Sequence, residues 1–239
     1  MTLQEQELAA AFARLTGEAA REPLDTQSLL TALVGGAVGL FGADGALAQY
    51  ATGSSPVRTE GTSGDLRALV REAVVWSEGP GHDVRTTGCA LIDVDVTTRP
   101  AHVRWPRWTS RAQALGIGRV TALPLLAKDG PSGALVLVGA PGSHLDEHAL
   151  NLARSYSEAA AHVLSLQREV SESRVLAGQL EHALSSRVVV EQAKGIVSAR
   201  YGIPMQEAFD RLRKYARSHQ YKVADVARRI TENPNELPF

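Results

Sequence analysis

Residues 119–140 read RVTALPLLAKDGPSGALVLVGA, a stretch in which two apolar runs flank a short segment of turn-forming residues. The runs cover residues 119–127 and 134–140, and the segment between them, residues 128–133, contains two Gly and one Pro. Gly and Pro favour the backbone angles of turns, and two apolar runs joined by such a segment are typical of a β-hairpin. The stretch therefore predicts two antiparallel strands.

Helical and strand patterns alternate on the N-terminal side of this hairpin. Residues 27–41 and 66–77 are apolar at helical spacing. Residues 46–51 and 90–96 have strand patterns, and the second shows the alternation of a half-buried strand. Helices that flank an antiparallel sheet indicate an α+β, sensor-like domain over residues 1–162.

A heptad pattern replaces the strand patterns after Ser143, because an apolar position recurs at alternating intervals of three and four residues. This spacing predicts one long helix that pairs with a second copy of the chain in a coiled coil, with Ser173 and Ala177 as its weakest layers. A helix that packs first on the sheet and then on a C-terminal bundle also accounts for the pattern. The seam positions are Ala149, Leu152, Tyr156, Ala159, Val163, Leu166, Val170, Ser173, Ala177, Leu180 and Leu184.

The pattern changes after Leu184, where the same register continues onto polar side chains. A new apolar face with Val189, Ala193 and Ile196 forms on roughly the opposite side of the predicted helix. Such a face needs other elements to cover it.

Two further segments, residues 205–218 and 223–232, have the patterns of short helices that could cover this face. We therefore expect a three-helix bundle over residues 180–239. A coiled-coil linker helix over residues 163–179 would join it to the sensor domain.

The composition is that of a soluble globular protein, with 44% hydrophobic and 21% charged residues among 239. No apolar run approaches the roughly 18 residues of a membrane span. Residues 1–16 lack the basic start and apolar core of a signal peptide, so we expect a cytoplasmic protein. Cys89 is the single cysteine, which excludes internal disulfides and cysteine-cluster zinc sites. We expect its side chain to be a small buried hydrophobe.

The charge is distributed unevenly along the chain. Residues 1–179 hold 15 Lys+Arg against 19 Asp+Glu, whereas residues 180–239 hold 10 against 7. A basic excess favours anionic partners such as nucleic acid, although an excess of this size is modest.

The segment 180–230 combines an Ala-Lys-Gly core with apolar positions at fixed intervals. Its motifs are Leu184-x-x-Arg187, Glu191-Gln192-Ala193-Lys194-Gly195-Ile196, Tyr201-Gly202, Glu207-Ala208-Phe209, Leu212-Arg213-x-x-Ala216 and Asp225-Val226-Ala227. This combination closely resembles the ANTAR domain. The resemblance implies an RNA-binding module of transcription antitermination regulators, which acts on stem-loops in nascent transcripts, usually as a dimer.

A second set of motifs lies in the N-terminal part. They are Ser77-Glu78-Gly79-Pro80-Gly81, Arg104-Trp105-Pro106, Gly116-Ile117-Gly118, Leu123-Pro124-Leu125 and Gly133-Ala134-Leu135. These motifs resemble the GAF domain that is usual in such regulators. Together the two resemblances imply a signal-responsive, dimeric regulator without catalytic activity, which binds paired stem-loops and prevents a terminator from forming. The alternative is a dimeric GAF signalling or scaffold protein whose basic C-terminal bundle binds a protein.

One face of the predicted bundle suits RNA, because Arg187, Lys194 and Tyr201 recur at intervals of seven residues. Cations attract phosphates, and a base from an RNA loop can stack on Tyr201 or Tyr221. Gly195 costs about 1 kcal/mol relative to Ala in mid-helix, so we expect it to admit a neighbouring helix or an RNA backbone. A solvated or bundle-capping face is the alternative.

Other cations of the bundle have acidic residues four positions before them: Glu207 with Arg211, Asp210 with Lys214 and Asp225 with Arg229. Arg200, Arg213, Arg217 and Arg228 lack such a partner. The predicted RNA-contact residues are Arg187, Lys194, Gly195, Tyr201, Arg213 and Arg217.

The sensor part carries no recognisable cofactor motif. Gly116-x-Gly118 lacks the third glycine of a dinucleotide fingerprint, and the chain has no Walker A lysine motif. Trp76, Trp105 and Trp108 could line a pocket for an unknown small molecule, or they could build the core.

Residues 144–148, His-Leu-Asp-Glu-His, fit the H-x-x-E-H pattern of some zinc peptidases. The spacing would place both histidines on one helix face. Ser143, with Asp146 three residues later, instead predicts a capping box at the start of the long helix. No third ligand is identifiable nearby, so we expect neither a metal nor an enzyme.

Overall fold

A five-stranded antiparallel sheet forms the centre of the N-terminal part of the chain. The computed structural model describes residues 3–19, 25–53, 55–128 and 130–234. The strand order across the sheet is β2-β1-β5-β4-β3. The strands are β1 (Gly45–Tyr50), β2 (Arg58–Gly61), β3 (Leu91–Asp95), β4 (Arg119–Ala127) and β5 (Gly130–Gly139).

Helices cover both faces of this sheet, and further helices follow it in the sequence, which confirms the predicted α+β class. The helices of the described ranges are α1 (Leu3–Ala19), α2 (Thr26–Phe41), α3 (Gly64–Trp76), α4 (Pro80–Thr87), α5 (Arg99–Arg104), α6 (Pro106–Ala114), α7 (Glu147–Tyr201), α8 (Met205–Ser218) and α9 (Val223–Glu232).

The predicted hairpin is present as β4 and β5, and its turn is tighter than the sequence indicated. Pairing continues as far as Ala127 with Gly130, so β5 begins at Gly130 instead of residue 134. A shift in register between Leu125 and Leu126 accompanies this extension. Gly130 has φ +117°, a conformation that glycine adopts more readily than other residues.

Side chains of the sheet alternate between two hydrophobic cores, one on each face. In β1, Ala46 and Ala48 belong to the core that α1, α2 and the start of α7 cover. Leu47, between them, belongs to the core that α3, α4 and α6 cover, which includes Trp105 and Trp108. Both faces of the sheet are therefore packed.

The first helix of the sheet layer, α2, is fixed at both ends by local chemistry. Asp25 caps its start by accepting hydrogen bonds from the backbone N–H groups of Gln27, at 3.1 Å, and Ser28, at 3.0 Å. The Ser28 hydroxyl also donates to this carboxylate at 2.8 Å, and this bond and the Gln27 N–H lower the pKa of Asp25. At the other end Gly42 takes the left-handed conformation, φ +65°.

The segment that leads into β3 differs from the prediction. β3 lies at the edge of the sheet, its pairing with β4 shifts between Leu91 and Val94, and Asp93 has φ +49°. Its side chains are therefore more exposed than a half-buried strand requires. Cys89, which precedes β3, is exposed, so the prediction of a buried cysteine was wrong.

The long helix predicted after Ser143 is α7, and its first part packs on the sheet layer. Tyr156 is fully buried, and its ring lies 5.5 Å from that of Phe12 and 5.8 Å from that of Phe41. Its hydroxyl donates to the Leu33 carbonyl at 3.3 Å. Gly36 of α2 faces this phenol so closely that a Cβ would overlap its oxygen. The first part of α7 therefore packs on the sheet layer, as the alternative to a coiled coil predicted.

Between Leu166 and Val188, the large apolar side chains on one side of α7 lie at the surface of the described chain. We call this set the apolar stripe; its members are 41–64% exposed. They are Leu166, Val170, Leu176, Leu180, Leu184 and Val188.

The chain divides into two compact units, Met1–Val170 and Ser171–Phe239. This division falls within α7 and within the predicted linker 163–179. None of the helices that the structure describes combines the length and the apolarity of a membrane span.

Candidate nucleic-acid interface

The C-terminal unit is built around a small apolar core that α7, α8 and α9 share. Ala193 and Val197 of α7 are fully buried, and Val189 and Ile196 pack at their edge, as the new apolar face predicted. The remaining buried members are Ala208, Leu212, Ala216, Val226, Ala227 and Ile230.

Local signals define the ends of these helices. Gly202, with φ +63°, follows the last residue of α7, and Pro204 precedes the first residue of α8. The Ser198 hydroxyl donates to the Ile203 carbonyl at 2.6 Å, which fixes the chain between the two helices.

Lys194 is held between α7 and α8 instead of standing in solvent. Its side chain is only 16% exposed, and its Nζ lies 2.9 Å from both carboxylate oxygens of Glu191. The same Nζ is 5.4 Å from the ring centroid of Phe209 in α8, within cation–π range. Lys194 thus has a packing role in addition to any role toward RNA.

Phe209 joins two of the predicted RNA-contact residues. The guanidinium of Arg213 lies 5.5 Å from its ring centroid, so Lys194 and Arg213 meet at one half-buried ring. Arg217 lies one turn beyond Arg213 on α8 and is exposed. Arg187 is also exposed, seven residues and thus about 10 Å before Lys194 on α7. We call Arg187, Lys194, Phe209, Arg213 and Arg217 the cationic row.

Tyr201 belongs to a separate cluster. Its ring is 41% exposed, and the guanidinium of Arg211 lies 5.0 Å from its centroid. Arg211 also pairs with Glu207 at 3.2 Å, as predicted. Among the described residues, neither Lys214 nor Arg229 has an acidic partner within 4.0 Å, so those two predicted pairs were wrong.

Gly195 has open space where a side chain would begin, because a Cβ there would meet no atom within 4 Å. No neighbouring helix of the structure therefore requires a glycine at this position, and that half of the expectation was wrong. Close approach of an RNA backbone at Gly195 stays a prediction.

Two of the three tryptophans, Trp105 and Trp108, lie in the core of the N-terminal unit. Trp105 and Trp108 are at most 2% exposed and form an edge-to-face pair with centroids 5.9 Å apart. The indole N–H of Trp105 donates to Asp83 at 3.0 Å. Trp76 is half-buried at the end of α3. A ligand pocket lined by these residues stays a prediction.

Two cavities lie elsewhere in the same unit. One, of about 480 Å³, is lined by α2, by the β2–α3 segment and by Arg67. The other, of about 280 Å³, is lined by residues around Ser63, Leu115 and Gly139. Asp44 contributes to both, and its carboxylate accepts the Ala140 N–H at 2.7 Å.

The H-x-x-E-H segment begins outside the helix, contrary to the expectation of two histidines on one face. α7 starts at Glu147, and Asp146 caps it by accepting the Ala149 N–H at 2.7 Å. Ser143 donates to the Ala140 carbonyl instead of capping, because the helix starts later than the capping box implied. His144 Nδ1 contacts Asp93 Oδ2 at 2.8 Å. Within the described ranges, no group of three His, Cys, Asp or Glu side chains is arranged to hold a metal.

Comparison with protein families identifies the C-terminal segment. Residues 178–230 match the ANTAR domain. No curated protein matches the chain.

Solved structures are similar to the N-terminal unit. A domain assigned to a two-component sensor histidine kinase protein of Sinorhizobium meliloti 1021 has a TM-score of 0.50 at 12% identity, over 63% of this chain and 97% of that one. The GAF domain of Acinetobacter phosphoenolpyruvate-protein phosphotransferase has a TM-score of 0.49 at 12% identity, over 72% and 99%. The GAF-B domain of DevS from Mycobacterium smegmatis has 0.43 at 18%, over 64% and 99%.

These likenesses concern the fold alone, given identities of 12–18%. The ANTAR match at the C-terminus supports the predicted ANTAR-like module, and the GAF-like assignment of residues 1–162 stays a prediction. ANTAR and GAF domains are regulatory and signalling domains.

Proposed function

We propose that this chain is a signal-responsive RNA-binding regulator of transcription antitermination that acts as a dimer. The supporting observation is that the ANTAR match, residues 178–230, coincides with a folded helical unit whose surface carries the cationic row. Cations beside an aromatic ring suit the phosphates and bases of an RNA loop.

The apolar stripe supports the dimer. Leu166, Val170, Leu180 and Leu184 keep heptad spacing and remain 41–64% exposed, which costs free energy in water. A second α7 in the same register is the partner that a heptad fits best. Pairing two chains would present two RNA-binding units at once and raise their effective concentration toward paired stem-loops.

α7 is the element that would couple a signal at the N-terminal unit to RNA binding, because this helix belongs to both units. In the proposed mechanism, a signal at the N-terminal unit shifts the equilibrium between two packings of the paired helices. Ser173 and Ala177, the small layers of the seam, give the helices room to adjust. Bound RNA is then held in the form that prevents a terminator hairpin.

A salt series on the full chain tests the RNA-binding step. Binding through several phosphates weakens linearly in log–log plots against salt, and loss of a phosphate contact lowers the slope by about 1. We expect Arg187→Ala, Lys194→Ala and Arg213→Ala to lower the slope. The control variant Lys128→Ala removes an exposed cation from the N-terminal unit and should leave the slope unchanged.

Lys194→Ala needs a thermal melt beside it, because Lys194 also packs on Phe209. If the full chain binds no RNA at low salt but captures a protein, the function is the signalling or scaffold alternative. Unchanged slopes in folded Arg187→Ala and Arg213→Ala proteins would contradict the cationic row as the site.

A further inference from the structure

The end of α8 and the turn after it carry aromatic side chains that the cationic row does not include, next to cations of which Arg213 and Arg217 belong to that row. Residues 211–224 contain five Lys or Arg and no Asp or Glu. The aromatic rings of Tyr215, His219 and Tyr221 alternate with these cations. The cations are Arg211, Arg213, Lys214, Arg217 and Lys222.

The three rings form a stack. The ring centroids of Tyr215 and His219 are 4.1 Å apart with planes inclined by 27°, and those of His219 and Tyr221 are 6.2 Å apart with planes inclined by only 11°. His219 is exposed, and Tyr221 is 50% exposed. Aromatic faces thus remain open to solvent at the end of the stack.

Backbone geometry holds this stack in place. The Gln220 N–H donates to the Arg217 carbonyl at 3.3 Å, and the Tyr221 N–H donates to the Ala216 carbonyl at 2.9 Å. These two bonds are those of a Schellman motif, whose turning residue is usually glycine. Gln220 occupies that position with φ +58°, although a side chain is disfavoured there by roughly 1–2 kcal/mol.

A hydrogen bond also orients the middle ring. His219 Nδ1 lies 3.0 Å from the Tyr215 carbonyl oxygen. The Ser218 hydroxyl also lies 3.0 Å from Nδ1, so one edge of the imidazole is held against the end of α8.

We propose that Tyr215, His219 and Tyr221 form a platform on which an unpaired base of an RNA hairpin loop stacks, while the surrounding cations hold its phosphates. The proposal rests on the proposed RNA-binding function and assigns base contact to this stack instead of to Tyr201. The ring of Tyr201 already has the Arg211 guanidinium 5.0 Å from its centroid. An open stack in a segment without acidic residues matches the requirements of base stacking.

The test uses the full chain and the RNA hairpin that it selects from a library with random loops. Affinity is measured over a salt series for the wild type, Tyr221→Ala, His219→Ala and Tyr221→Phe. We expect roughly 10-fold or greater weakening for Tyr221→Ala and for His219→Ala at every salt concentration, with an unchanged slope. Tyr221→Phe keeps the ring and should bind within about 2-fold of the wild type.

Abasic substitutions in the loop separate stacking from indirect effects. One loop position should weaken wild-type binding when abasic but weaken Tyr221→Ala no further, because the two changes remove the same contact. Folding of each variant is checked by thermal melting, and Tyr221→Phe reports on the site even if an alanine variant is unstable.

The proposal is overturned if folded Tyr221→Ala and His219→Ala bind as the wild type does, or if every abasic loop weakens wild type and variant equally. If the wild type binds no hairpin at low salt, the proposed RNA-binding function itself is contradicted. Loss of affinity with a reduced salt slope would assign these residues to phosphate positioning and would also contradict stacking.

Discussion

Lys194 packs inside the C-terminal unit and is also one of the proposed RNA contacts. Its ammonium group is divided between Glu191 and the ring of Phe209, so part of its charge is neutralised within the protein. Because the Glu191 side chain is 53% exposed, water screens this pair, and its contribution to stability is small, typically below about 1 kcal/mol. We therefore expect the Glu191 carboxylate to affect RNA binding more than it affects folding.

Glu191→Gln should tighten RNA binding a few-fold at low salt, because it removes a negative charge and releases Lys194 toward phosphates. The measurement is the affinity for the selected hairpin at several salt concentrations. Glu169→Gln, which removes an exposed carboxylate 3.8 Å from Lys128 in the N-terminal unit, is the matched control. Equal effects of the two changes would show only a general charge effect.

Gly195→Ala should change stability and RNA affinity in opposite directions. The open space at this position accepts a methyl group, so unfolding should cost about 1 kcal/mol more. RNA affinity should fall if a nucleic-acid backbone approaches Gly195. Gly178→Ala, equally open on the same helix, should give the stability gain alone. The two readouts are a thermal melt and a binding titration, and unchanged RNA affinity in Gly195→Ala would contradict the close approach.

At the scale of elements, the start of α2 depends on one carboxylate. Asp25→Ala should destabilise the protein by about 1 kcal/mol, because two backbone N–H groups lose their acceptor. Asp25→Asn should retain most of this stability, since Asn is an equally good cap.

The lowered pKa of Asp25 gives these two variants different acid behaviour from the wild type. A depressed folded-state pKa stabilises the protein above the usual carboxyl range and loses this effect as pH falls through the folded value. The wild type should therefore lose stability relative to Asp25→Asn in acid unfolding monitored by circular dichroism. If the stabilities of the wild type and Asp25→Asn fall equally as the pH is lowered, ionisation of Asp25 contributes nothing to the stability of the fold.

Elements with strong local patterns could be predicted, and short ones could not. The hairpin, α2 and the three C-terminal helices have periodic apolar residues or clear end signals. Gly79-Pro80-Gly81 resembles a break in the chain, although Pro80 begins the eight-residue helix α4, because proline is well tolerated at a first helical position. Periodicity says equally little about α5, with only six residues.

The candidate site was predictable only along single helices. The spacing of Arg187 and Lys194 could be counted, and an acidic residue three positions before Lys194 could have been noticed. The meeting of Lys194 with Phe209 depends on how α8 crosses α7, which no local pattern specifies. The stack at His219 likewise depends on a left-handed Gln220, where the sequence has no glycine to signal a turn.

At the scale of the whole molecule, we expect the apolar stripe to set the oligomeric state. Leu180→Asp with Leu184→Asp should give monomers in sedimentation equilibrium, because charges in a coiled-coil seam are strongly unfavourable. Val75→Asp, at an 82% exposed position of α3, is the control that should leave the dimer intact.

The same monomeric variant should separate single from paired RNA binding. Its affinity for one hairpin should stay near that of the wild type, while its affinity for two linked hairpins should fall about 100-fold or more. Gel-shift titrations with one and two hairpins measure the two affinities. If the affinities for one hairpin and for two linked hairpins fall equally, each RNA site needs residues of both chains, and the dimer does more than bring two complete sites together.

The contact between Gly36 and Tyr156 gives a way to act on the N-terminal part of α7 without any ligand. Gly36→Ala would place a methyl group against the Tyr156 hydroxyl, where α2 and α7 are already in close contact. The substitution should therefore hold the two helices further apart at all times. Comparing the RNA occupancy of this variant with that of the parent would reveal whether separation of these helices is the movement that the signal produces.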